Sequence, residues 1–203
     1  MSVRVYVEGG GNYKHTDTST ACRSGFVQLF EKLGLPPRRL SVVACGSRSE
    51  TFKDFRQRVR EQTDEFVILL VDSEGPVGAA GASWAYLRSR DNWRRPTRCT
   101  EDQAHLMVQC MEAWFLADRE VLRQFYGPQF LAGSLPGHAD IEEVPKDELV
   151  RRMEHASRNT QKGRYHKTRH GFRLLALIDP QRIRAASRRA SVLFDVLIRE
   201  ASR

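Results

Sequence analysis

Residues 65–75 read EFVILLVDSEG, an almost wholly apolar run that ends in two carboxylates, Asp72 and Glu74, one residue apart. A strand exposed on one face would alternate apolar and polar residues. Residues 66–71 do not, so they read as a strand buried on both faces of a sheet. Asp72 and Glu74 then stand just past its carboxyl end, the edge at which open α/β sheets bind ligands. Extended backbone aims residues i and i+2 to the same side, which would make the two acids converge. Two carboxylates about 4 Å apart repel by roughly 4 kcal/mol at an effective dielectric near 20, a cost that a divalent cation commonly offsets. The alternative is an ordinary Asp-Ser-Glu-Gly turn.

Upstream, residues 3–7 (VRVYV) are a β-branched strand running into Glu8 and three glycines, Gly9, Gly10 and Gly11. A helix is expected from 19 or 20 to 32 or 33, with Phe26, Leu29, Phe30 and Leu33 at helical spacing and Gly34 closing it. The glycines do not complete a dinucleotide fingerprint, and no phosphate-binding loop ending in Gly-Lys-Ser/Thr follows. Residues 40–44 give a second strand, and 49–60 a helix with Phe52, Phe55 and Val59 on one face. The order β-α-β-α-β implies a parallel sheet with right-handed crossovers. In such a sheet the first and third strands can be neighbours, bringing Glu8 to Asp72.

After Gly75 come a Gly- and Ala-rich loop, a short helix at 83–88 and a basic loop, 91–98 (DNWRRPTR). Trp93 reads as the anchor of that loop on the core, with base stacking as the alternative. Residues 104–111 are expected to form a fourth buried strand leading into Glu112 and a helix over 113–125. Glu112 suits either a metal site or the first turn of a helix, where the macrodipole favours an acid. Residues 127–144 read as a loop with an extended piece at 141–144. Helices are expected from 146 or 147 to 158, from about 168 to 177, and from 180 to 201, the last capped by Asp179 with Pro180 first. Two regions result: an α/β core over 1–126 and a basic, mainly helical region over 127–203 packed on it.

The chain has 203 residues, 40% of them hydrophobic, enough for one sizeable core. No apolar run approaches the ~20 residues of a membrane span, and the start, MSVRVYVEGG, lacks the apolar segment of a signal peptide. A cytoplasmic protein is expected. Cys22, Cys45, Cys99 and Cys110 form no CxxC pair and read as free thiols. The net charge of +8 is unevenly spread: from Pro145 onward there are 15 Lys+Arg against 6 Asp+Glu, whereas the preceding residues carry 18 against 19. That asymmetry suggests a polyanionic partner.

The strand ending in Val7-Glu8-Gly9-Gly10, followed by the strand ending in Val71-Asp72-Ser73-Glu74-Gly75, resembles the Toprim fold shared by topoisomerases, primases and overcoming-lysogenization-defect-type nucleases. With residues 111–118 (MEAWFLAD) and Tyr165-His166-Lys167 added, the chain resembles, from about 3 to 177, the stand-alone Toprim-like proteins of domain of unknown function 4276. Such proteins are often associated with ATPases in phage-defence loci. The resemblance implies a Rossmann-like, mostly parallel sheet flanked by helices, and a Mg²⁺- or Mn²⁺-dependent nuclease acting on DNA or RNA. Glu8, Asp72 and Glu74 would hold the metal, with Glu8 alternatively taking a proton from the attacking water. Lys167 would neutralise the scissile phosphate, Tyr165 would orient it or stack, and Glu112 would support the site. The acid pair departs from the Asp-x-Asp of that fold: Glu74 is one methylene longer but still a hard oxygen ligand. Arg94, Arg95, Lys162, Arg164 and Arg169 are candidate nucleic-acid contacts. Nucleic acid and an ATPase are the implied partners, a membrane is not, and a homo-oligomer stays open. The competing reading is a catalytically impaired module that docks on an ATPase; a third is phosphate transfer to a small ligand.

Overall fold

The structure, a computed structural model, describes residues 1–9, 17–36, 38–61, 64–78 and 82–203. Gly10 and Gly11 of the first glycine run, and Ala79, Ala80 and Gly81 of the later loop, lie outside the described residues.

Four strands, β1 (Ser2–Val7), β2 (Leu40–Ala44), β3 (Glu65–Asp72) and β4 (Ala104–Met107), form one all-parallel sheet in the order β2-β1-β3-β4. β1 and β3 are neighbours, with Val7 opposite Leu70. The absence of alternation in β3 has its physical reason here: Ile68 and Leu70 enter one apolar cluster, while Val67, Leu69 and Val71 enter another on the opposite face. The second cluster is closed by α2 (Arg48–Arg60) and α3 (Ser83–Asp91) through Phe52, Phe55, Trp84 and Leu87. The first takes in α1 (Asp17–Glu31), α4 (Arg119–Tyr126), α5 (Lys146–Ser157), α6 (Phe172–Leu177), α7 (Pro180–Ala186) and α8 (Arg188–Ala201).

α1 and α6 meet at Gly25, where an added Cβ would lie 2.6 Å from the Phe172 carbonyl oxygen. Only a residue without a side chain permits that approach. Among the described residues no helix is long and apolar enough to cross a membrane.

Five expected elements differ. β4 stops at Met107 instead of 111, and the Val108–Gln109 peptide is cis. A 3₁₀ segment, Met111–Ala117, replaces the start of the expected 113–125 helix, and α4 begins only after Asp118, whose side chain accepts from Val121 N at 3.3 Å. Met111 and residues 113–116 are buried in either backbone state, so an apolar run cannot tell one from the other. The expected extended piece at 141–144 is a 3₁₀ turn, Ile141–Glu143, anchored by buried Ile141. The expected 180–201 helix is two: Ser187 ends α7 and caps α8, its hydroxyl accepting from Ala190 N at 3.0 Å. A π turn, Lys167–Gly171, precedes α6 where helix was expected from about 168.

Candidate functional site

The carboxyl ends of β1 and β3 deliver Glu8 and Asp72 to the same rim, Glu8 N donating to the Leu70 carbonyl at 3.2 Å. Asp72 is buried. Its Oδ1 accepts from Met111 N at 2.7 Å and its Oδ2 from Lys167 Nζ at 3.3 Å. Lys167, carried in by the π turn, also stands 3.7 Å from Glu112 Oε2. Glu112 is buried too: Oε1 accepts from the Tyr165 hydroxyl at 2.9 Å, and Oε2 has no hydrogen-bond partner among the described residues. Burial raises the Asp72 carboxyl and the nearby Lys167 charge opposes it. Burial alone would lower Lys167, yet Asp72 and Glu112 hold its ammonium well above the ordinary lysine range. Burial, reinforced by Glu112, likewise pushes up the Tyr165 phenol, which therefore stays a donor.

Extended geometry ends at Asp72. Glu74 has φ 64°, so the alternation argument for two converging acids does not reach it. The turn is held by Ser73 N donating to Met107 O (2.9 Å) and Glu74 N to Gln109 O (2.8 Å). It aims the Glu74 carboxylate at Lys146 Nζ, 2.7 and 2.6 Å from its two oxygens.

Arg48, the first residue of α2, completes the rim. Its guanidinium donates to both oxygens of Asp91 (3.0 and 2.7 Å), to the Asp72 carbonyl, and to Glu8 Oε2 at 3.4 Å. It also lies 5.0 Å from the Trp93 ring, which stacks on Phe52 at 4.2 Å. Trp93 is thus the anchor of its loop.

Glu8, Asp72, Glu74, Asp91 and Glu112 face Arg48, Arg90, Lys146 and Lys167, which leaves the rim formally at −1. Glu8 registers that imbalance: burial and then the Asp72 charge push its carboxyl up to about 7, outweighing Arg48. Glu65, at the opposite edge of the sheet, makes the contrast. Against its burial, Arg4 (2.8 Å) and Arg58 (2.9 Å) hold it below the usual carboxylate range.

The donor chemistry and the surplus negative charge fit a hard divalent cation. The side chains as they stand are turned onto bases instead, and among the described residues no group of three or more His, Cys, Asp or Glu is gathered to hold a metal ion. Glu8, Asp72 and Glu74 are the residues that could be recruited.

The rim gathers Glu8, Asp72, Glu74, Glu112, Tyr165 and Lys167, and leaves out the basic candidates. Arg94 and Arg95 lie on the loop after α3, Arg95 pairing with Glu101 at 2.7 Å. Lys162 sits 5.1 Å over the Phe125 ring, and Arg164 and Arg169 are exposed. His170 is buried against the Tyr126 hydroxyl at 3.2 Å. All four cysteines are buried thiols outside any disulfide, and burial pushes the Cys22 thiol up to about 12. Sequence reasoning missed Arg48, Asp91 and Lys146. Arg48 had a signal, since the first helical residue after a parallel strand stands at the sheet's carboxyl edge. Lys146 and Asp91 had none.

Fold and site together define an open α/β protein with a carboxylate-rich rim at the carboxyl ends of a parallel sheet. The chain belongs to the family described as Domain of unknown function (DUF4276), which it matches over residues 7–198, a span that takes in every rim residue. No curated protein and no solved structure matches it.

Proposed function

We propose that the rim is the active site of a Toprim-like, divalent-metal-dependent nuclease. The observation that carries this reading is the surplus of carboxylate around Glu8, whose carboxyl burial and then the Asp72 charge push up to about 7. Bound Mg²⁺ or Mn²⁺, held by Glu8, Asp72 and Glu74, would polarise the phosphate and stabilise the charge developing on it. The rest falls to the chain. Where Asp72 and Glu74 alone hold the ion, Glu8 would instead take the proton from an attacking water. Lys167, charged and 42% exposed at its side chain, can offer its ammonium to a phosphate oxygen while Asp72 and Glu112 hold its other side. Tyr165 keeps Glu112 in place by donating to it. The order of motifs supports a cytoplasmic effector of phage defence working with an ATPase.

A second reading has its own support: Glu8, Asp72 and Glu74 each already contact a basic side chain, as in a catalytically impaired module docking on an ATPase. Incubation with DNA and RNA in Mg²⁺, Mn²⁺ or chelator, wild type beside Asp72→Asn and Glu8→Gln, decides between them. Metal-dependent cleavage lost in both variants supports the nuclease. Cleavage unaffected by either removes these residues from the chemistry, and no cleavage with or without an ATPase partner leaves the module.

A further inference from the structure

A rim with surplus carboxylate repels a polyanion, so a nuclease built on it has to hold its substrate from somewhere else. On the α2/α3 face of the sheet, a groove of about 810 Å³ runs between α2 and the 92–98 loop. Arg56 and Arg60, one turn apart on α2, line one side, and Arg94, Arg95 and Arg98 line the other. All five are exposed, and no acidic side chain lines the groove among the described residues. Arg95 is shared with Glu101, whereas Arg60, Arg94 and Arg98 make no ion pair among the described residues. Arginine itself is no signal here, because 27 of the 33 basic residues are Arg. The signal is that five gather around one concavity with no carboxylate among them, in a stretch that is close to neutral overall.

The groove also has a physical link to the rim. Trp93 forms part of its wall, and the Arg48 guanidinium that packs on Trp93 at 5.0 Å reaches Glu8 at 3.4 Å. Trp93 is thus shared between the groove wall and the Arg48 side chain that reaches Glu8.

We propose that this groove binds the phosphodiester backbone of a nucleic acid and leads it past Arg48 to the rim. Guanidinium groups grip phosphate through paired N–H donors, and several on one path neutralise successive phosphates. With its loop residue Trp93 already engaged by Phe52 and Arg48, the groove reads charge and not base identity. The inference deepens the nuclease reading and rests on it for the purpose of the bound strand, but not for the binding itself.

Fluorescence anisotropy tests it in chelator, using labelled DNA of about 20 nucleotides, the matching RNA and the duplex, over about 50 to 200 mM salt. The triple variant Arg60→Ala/Arg94→Ala/Arg98→Ala should lose at least tenfold in affinity. On single strands its salt slope should fall by about 2, near 0.7 per lost phosphate contact. The variant Lys162→Ala/Arg164→Ala/Arg169→Ala, of equal net charge, should lose markedly less. Thermal melting confirms that both variants fold. Which probe binds most tightly identifies single strand or duplex as the occupant. Equal losses in the two variants, a loss only in the second, or no binding of any probe by wild type would overturn the groove. Binding is read without metal, so an absence of cleavage in Mg²⁺ or Mn²⁺, with or without an ATPase partner, would sink the nuclease and leave this result standing.

Discussion

The Lys146 ammonium contacts both carboxylate oxygens of Glu74, at 2.7 and 2.6 Å, across a sequence separation of 72 residues. It thereby competes for the same oxygens that a divalent ion would use. Lys146→Met should tighten Mn²⁺ binding about tenfold, the effect of roughly 1.4 kcal/mol, as followed by titration calorimetry. The pair is partly exposed, so its loss should cost about 1 kcal/mol of stability or less. Unchanged Mn²⁺ affinity would mean that Glu74 is not a ligand.

Lys167 is the counter-charge for two buried acids. Its replacement by Met removes the ammonium that lies between Asp72 and Glu112, which breaks a buried ion pair. Because Lys167 is 42% exposed at its side chain, solvent relieves part of that cost, and a loss of about 2 kcal/mol in urea denaturation is expected. Adding Asp72→Asn should recover a substantial part of it. If the single variant matches wild type, Asp72 is already neutral in the folded protein.

Glu8 makes the metal-free protein pH-sensitive in an unusual direction. Its folded carboxyl is raised from 4.5 to about 7, so its contribution to stability is fully present below pH 4.5 and is lost as pH rises to about 7. The loss is about 3 kcal/mol. In chelator, Glu8→Gln should therefore be more stable than wild type at pH 8, and the advantage should vanish near pH 4. Melting curves across that range supply the comparison.

His105 acts in the opposite sense. Buried in β4, with Nε2 2.9 Å from the Asp102 carbonyl, it is depressed from 6.5 to about 4, chiefly by burial. Its stabilising contribution is complete above pH 6.5 and declines as pH falls to about 4, by about 3 kcal/mol in total. His105→Gln should flatten the urea midpoint between pH 6.5 and 4 relative to wild type.

The α/β class and the placement of Glu8 and Asp72 were legible because both depend on local signals: an apolar run without alternation, a glycine turn, and the order of elements. Failures came where burial and backbone state part company. Residues 108–116 are buried throughout, Gln109 and Glu112 included, and burial does not tell a strand from a 3₁₀ segment or a helix; Ser187 interrupts a helical pattern on both sides of it without disturbing the apolar spacing. Glu74 was placed correctly in the sequence but aimed by a left-handed turn that its neighbours impose. Lys146 reaches the rim only through the packing of α5, and nothing in the residues beside it announces that destination.

The missing side chain of Gly25 works as a datum for the whole assembly. It fixes how far α6 stands off α1, and so the height at which the π turn presents its lysine to the sheet. A larger residue there must lift that turn outward and widen the gap to Asp72, with both charged groups still present. The Lys167–Asp72 contact can thus be lost through a change that alters neither residue.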